Sequence, residues 1–282
     1  MAKLREIDRR WIFLAVAVAL VLTVAFPFDQ PITPSPSVQS VYDYIERLPE
    51  GSAVLIATDY DPQAGAETVP ITRALLRHCM RHNVRVIGMT FWNQGVGLAR
   101  KVFDVVGEEC GKKAGADYVY LGYKPGTMAQ IITNMGENFS SAFTEDSQGN
   151  RTANMPIFQQ VRSLRDLKFI VDVAAGDTVS GWIVYGGDKY QVPMAAGCTA
   201  VSGPDLYVYA NAGQLRGIIA GLRGAADYEA LLEQPGRGIA GMSAQSTVHA
   251  IIVLFVVIAN ILYFRARRAE KKAGKAQSGQ QA

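Results

Sequence analysis

The apolar residues of this 282-residue chain are concentrated in two uncharged blocks near its ends. The first block covers residues 11–28 and the second covers residues 248–264. Each is about 18 residues long, or roughly 27 Å of helix, which just spans the hydrocarbon core of a bilayer. The pattern therefore predicts one transmembrane helix near each end of the chain.

Each block has an alternative interpretation. The first follows basic residues and so resembles a cleavable signal peptide, but it ends in the sequence VAFPF, without the small residues that cleavage requires. The second would be a buried core helix in a soluble protein, but the basic sequence RARRAEKK follows it directly. We therefore expect two uncleaved membrane anchors.

Basic residues flank the two blocks on their outer sides. Four precede the first block and six follow the second, at Lys3, Arg5, Arg9, Arg10, Arg265, Arg267, Arg268, Lys271, Lys272 and Lys275. The positive-inside rule then predicts a two-pass protein of the cell membrane, with cytoplasmic tails at 1–10 and 265–282 and an extracytoplasmic middle. These tails carry ten basic and three acidic residues, a net charge of +7, whereas the whole chain carries +3, so the middle is acidic. This pattern favours a lipid bilayer as partner and disfavours a nucleic acid.

Segments rich in proline or glycine separate the blocks from the middle of the chain. Residues 29–37 contain several prolines, which predict a semi-rigid linker. Residues 234–247 are rich in glycine and small polar residues, which predict a flexible linker. The extracytoplasmic domain is therefore predicted over residues 38–233.

Short β-branched runs alternate with longer helical patterns inside this domain. Strands are predicted over 53–58, 84–90, 118–122, 168–174 and 192–199, and helices over 66–82, 95–114, 126–134, 156–167, 177–185 and 214–232. Strands that are apolar on both faces are typical of a parallel sheet covered by helices. The alternation predicts an α/β fold with a doubly wound, Rossmann-like, mainly parallel sheet of about five strands. The polar residues 137–155 interrupt the alternation and predict a long surface loop.

Polar residues follow the predicted strands, where parallel sheets bind their ligands. Asp59 and Asp61 follow the first strand and are candidates for a divalent-cation site or a catalytic nucleophile. If the loops converge, Asn93, Lys124 and Asp177 line the same crevice as ligand-binding candidates, with Asp177 also a catalytic candidate. The structural alternative is an Asp-Pro turn after the first strand and a helix cap at Asp177.

Four glycines make the segment after residue 212 unusual. Gly213, Gly217, Gly221 and Gly224 are spaced by four, four and three residues, which places them on one face of the predicted helix 214–232. Glycine is unfavourable inside a helix unless another backbone approaches closely. The face is therefore predicted either to bind a partner protein or to pack on the domain's own sheet.

Histidines and cysteines provide further candidate sites. His78 and His82 lie four residues apart, a spacing that permits metal binding, but Arg77 and Arg81 beside them favour a solvated basic face. Cys198 is a candidate nucleophile in a segment of small residues. All three cysteines, Cys79, Cys110 and Cys198, are expected to be buried small hydrophobes, with oxidation of one pair as the alternative.

These observations favour a membrane-anchored extracytoplasmic α/β binding or scaffold module. The two predicted anchors and the glycine-rich face support this interpretation, whereas a convincing set of catalytic residues is not present in the sequence. Its partners would be another membrane protein or further copies of the chain. One alternative is a metal-dependent hydrolase or phosphatase that uses Asp59 and Asp61, and another is a solute sensor coupled to a separate signalling partner. The sequence identifies no cofactor.

Overall fold

The computed structural model describes residues 9–25 and 32–278, which belong to two compact units. One unit, Pro31–Ile239, contains the whole sheet. The other comprises Met1–Gln30 and Ala240–Ala282 and contains the two apolar helices. Residues 1–8 of the predicted tail at 1–10, residues 29–31 of the predicted linker at 29–37, and residues 279–282 of the predicted tail at 265–282 lie outside the described residues.

The sheet unit alternates strands and helices along the chain. Its strands are β1 (Ala53–Asp59), β2 (Arg85–Thr90), β3 (Tyr118–Tyr123), β4 (Phe169–Ala174), β5 (Met194–Cys198) and β6 (Ile218–Ala220). The helices of the chain are α1 (Arg9–Ala25), α2 (Pro36–Glu46), α3 (Gly65–Arg81), α4 (Val96–Glu109), α5 (Met128–Glu137), α6 (Phe139–Ala142), α7 (Pro156–Gln160), α8 (Thr178–Trp182), α9 (Gly203–Asn211), α10 (Gly221–Leu231) and α11 (Arg237–Ser278). A π-helical segment, Ile183–Asp188, continues α8.

All six strands are parallel and lie in the order β3-β2-β1-β4-β5-β6. The predicted α/β, Rossmann-like fold is therefore confirmed, but the sheet has six strands, whereas about five were predicted. The prediction of one helix over 214–232 is wrong, because β6 occupies its first part and α10 begins only at Gly221. Residues 218–220 form a strand because they pair with β5, with Gly197 opposite Ile219, which extends the sheet by one short strand.

Helices cover both faces of the sheet, which explains why its strands carry apolar residues without alternation. Side chains such as Val54 and Ile56 pack against helices α2, α3, α4 and α10. The opposite face, which includes Leu55 and Ala57, packs against the helices between α5 and α9. The two apolar layers have the sheet between them.

Helix α2 closes one edge of the sheet. The Ser37 hydroxyl donates to the carbonyl oxygen of Ile218 at 3.1 Å and accepts the Ile218 N–H at 2.7 Å. A serine side chain on a helix therefore takes the place of a further strand beside β6. Neither α2 nor α9 was predicted from the sequence.

Two segments that were predicted to be irregular are more ordered than expected. Residues 137–155 contain α6, and Phe139 and Phe143 in this stretch are buried in the core, so the prediction of a long surface loop is only partly correct. Residues 237–247 were predicted to be a flexible linker but form the first turns of α11. Small residues in this stretch permit a helix once its first turn is stabilised.

The second unit contains the two apolar helices. Within α11, the stretch Arg237–Arg268 is long and apolar enough to cross a membrane, with a mean hydropathy of 2.4 over its most apolar window and none of that window buried. The apolar part of α1, Arg10–Thr23, is shorter. The two helices contact each other, and the Thr23 hydroxyl donates to the Thr247 hydroxyl at 3.2 Å.

Candidate functional site

The centre of the sheet holds two buried carboxyl groups, which we call the carboxyl pair. Asp59 ends β1 and Asp172 lies on the adjacent strand β4, and both side chains are 0% exposed. The register places Ala57 opposite Asp172, so the two carboxyl groups lie on one face two positions apart. This is the switch point of the strand order, where open α/β sheets bind their ligands.

The Asp59 carboxylate accepts hydrogen bonds from three donors. One oxygen, Oδ1, accepts the Phe91 N–H at 2.5 Å and the Thr90 hydroxyl at 3.1 Å. The other, Oδ2, accepts the indole N–H of Trp182 at 3.3 Å. Burial raises the pKa of Asp59, while these bonds oppose the rise by stabilising the ionised form.

Asp172 has fewer donors around it. Its Oδ2 accepts the Thr178 hydroxyl at 2.8 Å, while its Oδ1 has no donor among the described residues. Burial raises the pKa of Asp172 well above its ordinary value, and the negative charge of Asp59 raises it further. Both effects favour the protonated form of Asp172 next to the Asp59 carboxyl group.

Sequence reasoning missed Asp172, although the chain contains a signal for it. The strand Phe169–Ala174 reads FIVDVA, and a single acidic residue inside an apolar strand is buried unless the strand is misassigned. A buried acid next to a strand that itself ends in aspartate is a candidate for a shared proton.

Aromatic side chains fill the crevice above the carboxyl pair. The Trp182 side chain is 0% exposed, and its ring centroid lies 5.7 Å from that of Phe91. Trp92 packs tightly over the backbone of Gly176, where an added Cβ would lie 2.8 Å from the indole. The crevice is therefore occupied by the protein's own side chains.

The other two aspartates predicted at the strand ends do not join Asp59. Asp61 turns back on its own loop, where its Oδ1 accepts the N–H groups of Gln63 at 2.9 Å and Ala64 at 3.0 Å. Asp177 lies exposed at the N-cap of α8, and its side chain makes no capping bond. In the described part of the chain, no three His, Cys, Asp or Glu side chains are grouped to hold a metal ion.

Asn93 and Lys124 line a different place, a cleft of 510 Å³ beyond the end of β3. Lys124 donates to the carbonyl oxygen of Ala142, and its ammonium lies 5.4 Å from the ring centroid of Phe143. The cleft contains neither member of the carboxyl pair. The structure thus brings together two of the predicted ligand-binding residues, but separately from the buried acids.

The glycines at 213, 217, 221 and 224 do not form one helix face, so that prediction is wrong. Gly213 has a φ of +77° in the turn after α9, and Gly221 has a φ of +60° where α10 begins. A Cβ at Gly217 would lie 2.1 Å from the carbonyl oxygen of Ser37 in α2. The glycines permit turns and close packing within the domain, which was the alternative interpretation.

Helix α10 contributes a second pair of buried acids, Asp227 and Glu229, which we call the linker-binding carboxylates. They are 1% and 4% exposed, respectively. Asp227 accepts the Ser35 N–H at 3.0 Å and the Arg223 Nε–H at 2.7 Å, and Arg223 also donates to the carbonyl oxygen of Thr33 at 3.0 Å. Residues 33–35 form the segment that leads into α2.

Glu229 binds the segment at the other end of the domain. Its two oxygens accept the N–H groups of Gly236 at 3.0 Å, Gly238 at 2.9 Å and Ile239 at 2.9 Å. These groups belong to the start of α11, where helical N–H groups have no partner within the helix. Glu229 therefore caps α11, and a negative charge is also favourable at a helix N-terminus.

His78 connects the same helix to its neighbours. It is 2% exposed, and its Nδ1 accepts the Tyr228 hydroxyl at 2.7 Å, while its Nε2–H donates to the Glu46 carboxylate at 3.0 Å. His82 donates instead to the carbonyl oxygen of Leu48 at 2.9 Å. The predicted solvated face is therefore wrong for His78, and its two ring nitrogens are already in use.

The three cysteines are free thiols, and two of them are buried. Burial raises the pKa of Cys79 and of Cys198 to about 12, so neither forms a thiolate readily. The expected role of these two as small hydrophobes is confirmed, and Cys110 is partly exposed.

Comparison with known proteins does not show a family for this chain. No protein-family model and no curated protein matches the chain. Among solved structures, the chain resembles an alpha,alpha-trehalose-phosphate synthase (UDP-forming) from Burkholderia vietnamiensis, with 11% sequence identity and a TM-score of 0.28. The match covers 91% of this chain and 50% of the synthase chain. So weak a likeness gives no information about the activity of this chain.

Proposed function

We propose that the chain is a membrane-anchored α/β binding or scaffold module that acts outside the cytoplasm within a membrane protein assembly. The observation that supports this most directly is the position of the linker-binding carboxylates. Asp227 binds the segment that follows the first apolar helix, and Glu229 binds the segment that begins the last one. One helix of the domain thus holds both of its ends.

A two-pass topology requires both connecting segments of the domain to reach the same membrane. Asp227 and Glu229 lie two residues apart on α10 and bind one segment each, so a single helix holds both connections although the two carboxyl groups project from different sides of it. Hydrogen bonds to a buried charged group stabilise by about 1.5–3 kcal/mol each, which makes the two attachments firm. The basic residues outside both apolar helices favour the same topology, with both tails in the cytoplasm.

The filled crevice favours binding or scaffolding over catalysis at the switch point. Trp182 occupies the position above Asp59 and already donates to it, so a substrate would have to displace a buried indole. The hydrolase alternative depended on Asp59 and Asp61 acting together, and the geometry gives it no support. Solute sensing stays a prediction.

The topology is tested by labelling engineered cysteines with a membrane-impermeant maleimide in intact cells that express the full chain. A cysteine at exposed Gln148 (Gln148→Cys) is expected to react in intact cells. A cysteine in the tail (Ser278→Cys) is expected to react only after the membrane is permeabilised. The unaltered chain, whose Cys110 is only partly exposed, serves as the labelling control. The reverse pattern would place the domain in the cytoplasm and contradict the proposal.

The assembly role is tested separately by crosslinking in native membranes, followed by gentle solubilisation. We expect the chain in particles larger than one copy. A strictly monomeric particle without companions would contradict a scaffold role while leaving the topology untouched.

A further inference from the structure

Asn260 is a polar residue within the apolar stretch of α11. Its side chain is exposed, and its Nδ2 donates to the carbonyl oxygen of Val256 in the same helix at 2.9 Å. A primary amide has two N–H donors and an oxygen that accepts two bonds. The second N–H and the oxygen of Asn260 have no partner within residues 9–25 and 32–278.

The side of α11 that carries Asn260 is different from the side that meets α1. Thr247 contacts Thr23 of α1, and the partly buried positions Ile251, Phe255 and Ile258 follow Thr247 at spacings of four, four and three, which places them on the same side of α11. Asn260 lies two residues beyond Ile258, which turns it about 200° around the helix, since each residue advances the helix by about 100°. It therefore faces away from α1.

Around Asn260, exposed side chains repeat with the spacing of a helix-packing seam. Val253, Val257, Asn260 and Phe264 follow one another at intervals of four, three and four residues, and the three apolar members are 62%, 48% and 55% exposed. Such a repeat is the pattern by which two helices pack side by side, and a single asparagine in it fixes the register of the pair. We call these four residues the Asn260 seam.

Lipid cannot satisfy the free N–H and oxygen of this amide. Two copies with the same topology are related by an axis along the membrane normal, so their Asn260 side chains lie at the same depth. Each amide then offers one free N–H and one free oxygen to the other, and the two groups are complementary without any other residue. We propose that the Asn260 seam is a homodimer interface in which the two Asn260 amides hydrogen-bond across the two-fold axis.

This inference rests on the part of the proposed function that places α11 in lipid, and it names the partner as a second copy of the chain. Its test uses the full chain, purified and labelled with donor and acceptor dyes, in liposomes of increasing lipid-to-protein ratio. Energy transfer between copies measures the dimer. Asn260→Leu removes the amide, Asn260→Gln retains it, and Thr247→Val is a matched polar-to-apolar control on the side that faces α1.

We expect the unaltered chain, Asn260→Gln and Thr247→Val to dimerise at similar dilutions, and Asn260→Leu to require about tenfold more protein per lipid. A monomeric unaltered chain, or an Asn260→Leu variant that dimerises as well as the unaltered chain, would overturn the interface. Alkaline carbonate extraction of the same variants separates the two proposals. Release into the soluble fraction would overturn the membrane anchoring itself, whereas retention with unchanged dimerisation would overturn only the Asn260 seam.

Discussion

The carboxyl pair and the linker-binding carboxylates are both buried acids, but they are surrounded by different partners. Asp59 and Asp172 lie on adjacent strands at the centre of the sheet, where burial and the charge of Asp59 raise the pKa of Asp172 and so favour its protonated form. Asp227 and Glu229 each face backbone N–H groups, with an arginine added at Asp227. The difference shows that the role of a buried acid depends on the hydrogen-bond donors around it and not on burial alone.

The two sets of buried acids also have different structural roles. The carboxyl pair is fully buried, and Asp59 accepts the indole N–H of Trp182, so the pair acts on the stability of the sheet. The linker-binding carboxylates join α10 to the segments at both ends of the domain, so they act on the order of those two segments. Breaking each set selectively tests this division.

The largest effect is expected from Trp182→Ala. Removing a fully buried tryptophan leaves a cavity and takes the donor from Asp59, so the free energy of unfolding should fall by about 3–5 kcal/mol. Trp182→Phe retains most of the volume but loses the N–H, and should cost about 1–3 kcal/mol. Urea unfolding of the full chain in mild detergent, followed by circular dichroism, measures both. A loss below about 1 kcal/mol for Trp182→Ala would show that the crevice is not tightly filled.

A smaller but still large effect is expected from Glu229→Gln. The glutamine amide can accept through only one atom, so some of the N–H groups at the start of α11 lose their charged acceptor. The free energy of unfolding should fall by about 2–3 kcal/mol. The matched control is Glu233→Gln, because Glu233 is exposed on the same segment and no capping bond to α11 ends on it in the described structure. The same urea unfolding measures the loss. Equal stability of the two variants would contradict a capping role for Glu229.

The two members of the carboxyl pair should respond in opposite directions to the same substitution. Asp172→Asn replaces a protonated acid by an amide that can donate to Asp59, so stability at pH 7 should rise by about 1–2 kcal/mol. Asp59→Asn deprives the Phe91, Thr90 or Trp182 donor of an acceptor, so stability should fall by about 1–3 kcal/mol. Two losses of equal size would show that the proton is not held by Asp172.

The pH dependence of the carboxyl pair follows from the raised pKa of Asp172. The folded state binds the proton more tightly than the unfolded chain, so the contribution of this proton is fully present below the unfolded pKa of about 4 and is lost as the pH rises toward the folded pKa. The stability gained from Asp172→Asn should therefore grow between pH 4 and pH 8. A difference that is independent of pH would contradict this assignment.

The smallest effect is expected at His78, where stability falls as the pH falls. Burial lowers the pKa of His78, while the neighbouring Glu46 carboxylate opposes the shift. The unfolded chain then binds the proton more readily, so stability is lost as the pH falls below about 6.5. His78→Gln should reduce that loss between pH 7.5 and pH 5.5 in thermal unfolding.

The groups that face His78 determine how this result is interpreted. Glu46 and Tyr42 approach it from α2, Tyr228 from α10, and His82 from its own helix. Glu46→Gln removes the one charge that favours protonation and should make the acid sensitivity stronger. An unchanged profile in both variants would assign the acid response to other residues.

The alternation of strands and helices was enough to predict the fold class, because five strands carry long apolar runs that only a covered parallel sheet explains. The sixth strand was missed because Ile218–Ala220 is three residues long and is defined by its pairing with β5. Helix α2 was missed because the prolines that precede it obscured its beginning at Pro36.

The candidate sites were harder to predict than the fold. Asp59 was identified from its position after a strand, but Asp61 was grouped with it on sequence proximity alone, and the chain turns Asp61 back on its own loop. Asp172 and Trp182 meet Asp59 only through the sheet register and the packing of α8, more than 100 residues away along the chain. The linker-binding carboxylates lie in the segment that the glycines marked as unusual, but their partners depend on tertiary structure.

The hydroxyl of Ser37 has a practical consequence for preparing the domain without the two apolar helices. It satisfies both an N–H and a carbonyl group on an outer strand that would otherwise be open to pairing with a strand of another molecule. A fragment that starts at residue 38 would lack this seal and should self-associate into β-rich aggregates. A fragment that starts before Thr33 and continues beyond Ile239 keeps the seal and both sets of α10 contacts, and should remain dispersed.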